Sequence, residues 1–206
     1  MADSDASGVA LDERQLDALR ELANIGCGHA ASALSKLLGG SAIGIEVPRA
    51  ELVDIAVLYR HVGGADTPVV GVATDVAGTL SGRLLVLMPD ADARALAGLL
   101  LGTTPPTGPL SAEAQSAICE AGNIVGSAFV NALADQANLI LHPSPPVVIH
   151  DMALALVESV YAEILSQGGD VVMIDTVFED NGGNVAGLLI VAPDSAALDR
   201  LLRIAA

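Results

Sequence analysis

Two long segments of the chain, 12–38 and 111–137, repeat apolar side chains with the period of an α-helix. Asp12 and Ser111 stand at their starts, where a side-chain oxygen can cap the first free amide groups of a helix. The apolar stripe of the first segment comprises Leu16, Leu19, Ala23, Gly26, Ala30, Ala33, Leu34 and Leu37, and that of the second comprises Ile118, Gly122, Val125, Phe129 and Leu133. The pattern predicts two long helices, each with one side packed on a sheet.

The rest of the chain is dominated by patterns typical of strands. Prolines interrupt two extended segments, 43–54 and 139–152, and the runs 69–77, 79–88, 170–179 and 185–192 are rich in Val, Ile and Leu. Glycines bound these runs, which predicts two β-hairpins. We expect short helices after Asp90 and Asp194, and an extra helix at 153–166 in the second half only.

The chain contains an internal repeat. Glu21 and Asn24 recur 99 residues later as Glu120 and Asn123, and the run LLVLMPD at 84–90 resembles LLIVAPD at 188–194. The repeat predicts an α/β fold of two pseudo-symmetric α-β-β-β-α repeats, with the long helices packed on a mainly antiparallel sheet. The strands should pair across the repeat, because three strands alone bury too little apolar surface. We expect a single domain over 1–206, with repeat one at about 11–101, a joint at 102–110 and repeat two at about 111–206.

Charge and composition narrow the classes of function. The net charge of −16 would repel phosphate backbones, so nucleic-acid binding is not expected. The first residues are acidic and polar, unlike a signal peptide, and glycine and proline break the longest uncharged stretch, 95–112. We therefore expect a cytoplasmic protein without membrane insertion. Two Phe, two Tyr and no Trp predict an aliphatic core.

A polar stripe lies opposite the apolar stripe on each predicted helix. An exposed Glu-x-x-Asn on a single helix usually reflects solubility alone. Here the pair stands at matching positions in both repeats, although Asn is a poor helix former. Neither observation identifies a chemistry by itself. The stripe comprises Asp17, Glu21, Asn24 and Gly28 on the first helix, and Ser116, Glu120, Asn123 and Ser127 on the second.

The stripes resemble the motif of the CheC/CheX/FliY family of chemotaxis phosphatases. That motif has Asp or Ser, then Glu, then Asn at these helical spacings, followed by a more distant Pro. Two copies in one chain resemble the CheC type. The second repeat carries the motif as Ser116, Glu120, Asn123 and, after 21 intervening residues, Pro145. The first repeat carries it as Asp17, Glu21 and Asn24, with Pro48 two residues later than that spacing.

The resemblance implies hydrolysis of the aspartyl phosphate on a CheY-like response-regulator receiver, which would terminate or adapt a chemotaxis signal. An acyl phosphate is already reactive, so the task of such a phosphatase is positioning. A carboxamide can accept a hydrogen bond from the attacking water and donate one to a phosphoryl oxygen. Asn24 and Asn123 are therefore the candidate residues that orient the water. Glu21 and Glu120 are expected to pair with the lysine of the receiver.

The resemblance also implies which other groups take part. No cofactor of the protein's own is expected, since the receiver brings its Mg²⁺. The phosphorylated receiver is the expected partner, and CheD is a second partner implied by the resemblance alone. The alternatives are a non-catalytic binding module for the phosphorylated receiver or for CheD, and a flagellar-switch-associated protein. Because Pro48 and His29 depart from the usual pattern, we expect the second site to contribute more than the first. The peripheral motif positions are Asp17, Ser116, Pro48 and Pro145.

Overall fold

Both long helices of the sequence prediction are present. The structure is a computed structural model, which describes residues 13–37, 44–47, 49–167, 169–180 and 183–193. Ser111 is the N-cap of the second long helix, and its Oγ accepts a hydrogen bond from the backbone N of Ala114 at 3.2 Å. Asp12 lies outside the described residues. The elements are α1 (Glu13–Leu37), β1 (Gly44–Glu46), β2 (Ala50–Asp54), a 3-10 helix (Ile55–Val62), β3 (Pro68–Gly78), β4 (Gly82–Pro89), α2 (Asp90–Leu101), α3 (Ala112–Ala137), β5 (Leu141–Pro143), β6 (Val147–Met152), α4 (Ala153–Gln167), β7 (Asp170–Asp180) and β8 (Gly183–Pro193).

The eight described strands form one sheet whose pairs are all antiparallel, in the order β1-β7-β8-β4-β3-β5. The repeats exchange strands, because β1 and β2 pair with β7 while β5 and β6 pair with β3. The two hairpins meet at the centre, where Leu85 pairs with Ile190 and Val86 pairs with Leu189. The predicted α/β fold and the pairing across the repeat are therefore confirmed.

Two details of each repeat differ from the sequence prediction. Each extended segment forms two strands, which gives four described strands in each repeat. The prediction of an extra helix in the second repeat alone was wrong in part, because the 3-10 helix Ile55–Val62 occupies in repeat one the place that α4 occupies in repeat two. Asp54 caps it by accepting a hydrogen bond from the N of Ala56 at 2.8 Å. The helix expected after Asp194 lies outside the described residues.

The sheet is covered on both faces. Helices α1, α2 and α3 pack on one face, and α4 with the 3-10 helix packs on the other. In β4 every side chain from Leu84 to Met88 is buried, with alternate residues belonging to opposite core layers. This burial explains why the strand sequences are continuous apolar runs and do not alternate with polar residues.

Helix α3 is long and apolar enough, by length and composition, to cross a membrane, and 56% of its apolar window is buried inside the protein. Its predicted stripe of Ile118, Gly122, Val125, Phe129 and Leu133 is buried against the sheet and neighbouring helices. That arrangement is what a core helix of a globular protein shows. The cytoplasmic location stays a prediction.

The predicted stripe of α1 needs one correction. Ala23, Ala30 and Leu34 are buried as expected. Ala33 is exposed, however, and Cys27, which is not part of the predicted stripe, is buried. On a helix that turns about 100° per residue, Ala33 falls between Leu22 and Gly26, which are both buried, so its exposure depends on which segments pack beside the last turns of α1 and not on its position around the helix. The side chains of Leu16, Leu19 and Leu37 lie outside the described set.

Candidate functional site

Helix α1 presents its polar stripe to solvent. The side chains of Asp17, Glu21 and Asn24 are exposed, and so is Gly28. Asp17 forms an ion pair with Arg20, one turn along the helix, at 2.9 Å. Both side chains are at least half exposed. Such a surface pair contributes little to stability. Within the described part of the chain, the carboxylate of Glu21 and the carboxamide of Asn24 have no hydrogen-bond partner, so both are available to another molecule.

Helix α3 presents the matching stripe with one difference. Ser116 and Glu120 are exposed, whereas Asn123 and Ser127 are half-buried. The hydroxyl of Ser127 donates a hydrogen bond to Oδ1 of Asn123 at 3.4 Å. Among the residues that the structure describes, no group is hydrogen-bonded to the Glu120 carboxylate. The second stripe thus combines the carboxylate of Glu120, which has no described hydrogen bond, with the carboxamide of Asn123, whose Oδ1 accepts a hydrogen bond from Ser127.

A close helix contact sets the two stripes side by side. A Cβ atom built on Gly26 would lie 2.9 Å from the Cα of Phe129, so only glycine allows α1 to approach α3 so closely. Both helices bury their opposite sides on the same face of the sheet. The two stripes therefore lie on the outer surface of the same helix layer, where a partner protein can reach either one.

The prolines of the motif lie apart from this surface or outside the described residues. Pro145 is exposed in the turn between β5 and β6, where it lines a small open cavity with Ala73, Arg83 and Ser159. Ala73 packs with the layer that contains α4, on the face of the sheet opposite α3. The described contacts of Pro145 therefore do not bring it to Glu120 or Asn123. Pro48 lies outside the described residues.

No described group of three or more His, Cys, Asp or Glu side chains comes together as metal ligands would. The donor set of each stripe is one carboxylate and one carboxamide, which suits binding and orienting a partner. The absence of a cofactor of the protein's own stays a prediction.

The two cysteines of the long helices differ in burial. Cys27 is buried, and burial raises the pKa of its thiol to about 11. Cys119 is half-buried beside Glu120, and burial together with the nearby carboxylate raises the pKa of its thiol as well. Neither thiol has the lowered pKa of a reactive cysteine.

We expect iodoacetamide at pH 8 to modify Cys119 first and Cys27 only after unfolding. At that pH a thiol with a pKa of about 11 is roughly one part in a thousand thiolate, and the buried sulfur of Cys27 is also inaccessible. Peptide mass mapping over time would measure both rates, and labelling in urea, where both should react alike, is the control. Faster modification of Cys27 in the folded protein would contradict its burial.

Ser127 is the feature of the site that the sequence did not assign. The helical pattern predicts its place on the polar stripe but no role, because a serine on an exposed helix face is common. The i, i+4 spacing from Asn123 is the signal that predicts contact between the two side chains.

The fold is shared with FliY and with the middle domain of FliM. Thermotoga maritima FliY superposes with a TM-score of 0.79 over 95% of this chain and 98% of that structure, at 19% identity. The FliM middle domain of H. pylori superposes with a TM-score of 0.70 over 94% of this chain and 99% of that structure, at 11% identity. At these identities the likeness concerns the fold alone.

The sequence comparisons go further than the fold. CheY-P phosphatase CheC of Bacillus subtilis (strain 168) is 33% identical over 196 residues, which are 93% of this chain and 93% of that protein. The model of the CheC-like family matches residues 15–52 and 113–150. Each matched segment contains most of one long helix, including its Glu and Asn, and most of the extended segment that follows. The chain therefore belongs to the CheC-like family.

Proposed function

We propose that this protein hydrolyses the aspartyl phosphate of a phosphorylated CheY-like receiver. The observation that carries the proposal is a Glu–Asn pair on each of two neighbouring helices, with both Glu side chains and Asn24 exposed and Asn123 half-buried, each pair within a segment that matches the CheC-like family. The relative from Bacillus subtilis is named a CheY-P phosphatase. Termination or adaptation of a chemotaxis signal would follow from this activity.

Docking comes first in the proposed mechanism. The exposed carboxylates of Glu21 and Glu120 are free to accept a charge-assisted hydrogen bond from the lysine of the receiver. Ile25 directly follows Asn24 and is 38% exposed, while its counterpart Ile124 is half-buried. An apolar side chain beside each carboxamide would contact the receiver and help exclude bulk water from the phosphoryl group.

Each carboxamide then positions the reacting water. Oδ1 of Asn123 accepts a hydrogen bond from the water, and Nδ2 donates to a phosphoryl oxygen, which places the water in line with the bond that breaks. The oxygen of the water forms the new bond to phosphorus, and the aspartate of the receiver leaves as a carboxylate. The Mg²⁺ and lysine of the receiver stabilise the charge on the phosphoryl oxygens. Asn24 has the same role in the first site.

A second candidate function is assembly within the flagellar switch. The likeness in fold to FliY and FliM favours it. In that case the two stripes serve as docking surfaces for a phosphorylated receiver that is held and not hydrolysed. CheD stays a predicted partner that rests on the family resemblance alone.

The test is phosphate release from a CheY-like receiver phosphorylated with acetyl phosphate and then freed of it. We expect catalytic amounts of the protein to accelerate release above the receiver's own rate, with many turnovers per molecule. Binding to the phosphorylated receiver is measured in parallel by fluorescence anisotropy. Tight binding without acceleration would reject the phosphatase proposal and favour the docking function.

The two sites are expected to contribute unequally. Asn123 is half-buried and contacts Ser127, whereas Asn24 is exposed and has no such contact in the described residues. We therefore expect Asn123→Ala to reduce kcat about three- to tenfold more than Asn24→Ala, the ratio that one net hydrogen bond contributes. Single-turnover phosphate release at saturating protein would measure it. A larger loss for Asn24→Ala would reverse the ranking.

A further inference from the structure

The two candidate sites differ at one position beyond the Glu–Asn pair. Ser127 in α3 corresponds to Gly28 in α1, at the same spacing from the respective Asn. The hydroxyl of Ser127 lies 3.4 Å from Oδ1 of Asn123 and donates to it. In the first site, residue 28 has no side chain with which to hold Asn24. The repeats therefore contain one supported carboxamide and one unsupported carboxamide.

The contact with Ser127 restrains the carboxamide of Asn123. Its oxygen accepts hydrogen bonds and its nitrogen donates them, although the two atoms are similar in size. An asparagine side chain can rotate so that Oδ1 and Nδ2 exchange places, and only one orientation offers the oxygen to the water and the nitrogen to the phosphoryl group. In the described geometry the hydroxyl of Ser127 donates to Oδ1, which restrains the side chain, leaves a second lone pair of Oδ1 for the water and leaves Nδ2 free to donate to a phosphoryl oxygen. The separation of 3.4 Å is long, so the contact is weak in the free protein and can tighten when the receiver binds.

The greater burial of Asn123 also restricts the motion of its side chain. Asn123 is half-buried and Asn24 is exposed, so the carboxamide of the second site has fewer rotamers to lose when it engages the substrate. Orientation that exists before the reaction raises kcat and leaves the binding of the receiver almost unchanged. Ser127 touches Asn123 and need not contact the phosphoryl group, so it would act as a positioning residue.

We infer that Ser127 positions Asn123 for catalysis, and that Gly28 deprives Asn24 of the same support. This inference rests on the proposed phosphatase function. It also gives one reason for the unequal contributions expected from the two sites, namely the difference between Ser127 in one repeat and Gly28 in the other. Space for the missing hydroxyl exists, because a Cβ atom built on Gly28 meets no atom within 4 Å outside its own helix backbone and chain neighbours.

The experiment examines each site separately. In an Asn24→Ala background, where only the second site works, Ser127→Ala is expected to lower kcat about three- to tenfold with an unchanged KM, and Ser127→Thr to retain the rate. In an Asn123→Ala background, Gly28→Ser is expected to raise kcat by a similar factor. Gly28→Ala is the matched control, because it changes helix propensity without supplying a hydroxyl.

A second readout does not depend on turnover. Side-chain amide ¹⁵N relaxation should show Asn24 more mobile than Asn123 in the free protein, and Ser127→Ala should make Asn123 more mobile than it is in the wild type. Equal mobility of the two amides in the wild type, or a kcat that does not respond to Ser127→Ala in an active protein, would overturn the inference and leave the phosphatase proposal standing. A wild type that does not accelerate phosphate release would reject the proposed function itself.

Discussion

The Asn24→Ala/Asn123→Ala double variant is expected to reduce kcat for phosphate release about 100-fold, toward the receiver's own rate. Both carboxamides are exposed or half-buried on helix surfaces, so their removal leaves the core unchanged. Without them the attacking water has no fixed acceptor. Binding to the phosphorylated receiver should persist, because Glu21 and Glu120 remain. Steady-state release kinetics combined with anisotropy titration would separate these two effects.

The matched control is the Glu21→Gln/Glu120→Gln double variant. It keeps the shape of both side chains and removes their charge, so we expect KM to rise about 10- to 100-fold while kcat at saturation changes much less. Together the two variants assign water positioning to Asn and docking to Glu. An Asn double variant that retains the wild-type kcat would reject the proposed mechanism.

Gly122→Ala is expected to destabilise the protein, with a loss of about 2–3 kcal/mol in the free energy of unfolding. A Cβ atom at this position would lie 2.6 Å from Cβ of Val72 and 2.7 and 2.8 Å from its two methyl groups. Cβ of Val72 is fixed to the backbone of β3, which is paired on both sides within the sheet, and it cannot turn away. Helix α3 must therefore move off the sheet, which costs more than the roughly 0.5–1 kcal/mol that Ala gains over Gly in a helix.

Gly126→Ala is the control for that prediction, one turn along the same helix. A Cβ atom there would meet only a methyl group of Leu84, at an ordinary 3.8 Å. We expect this variant to be as stable as the wild type or more stable by about 0.5–1 kcal/mol. Urea unfolding followed by circular dichroism would compare them. Since Asn123 follows Gly122, Gly122→Ala should also reduce phosphatase activity, and equal stability of the two variants would contradict the close packing on Val72.

Helix geometry predicted which side of each long helix carries the candidate site residues. The spacing of Glu21 and Asn24, and of Glu120 and Asn123, placed each pair on the side opposite a buried stripe, and all four are exposed or half-buried. The sequence could not show that Gly26 lets the two helices touch. It could not place Pro145 either, because that residue follows a strand whose partner belongs to the other repeat.

Local patterns by themselves determined the helices, the hairpins and the repeat of this protein. Apolar periodicity depends on neighbours within one or two turns, and Ser111 caps α3 through an amide only three residues away. Only the tertiary structure decided which strands pair across the repeats and why Cys27 and not Ala33 is buried. These outcomes depend on contacts between distant segments and on the space left between packed layers, which residue order alone does not specify.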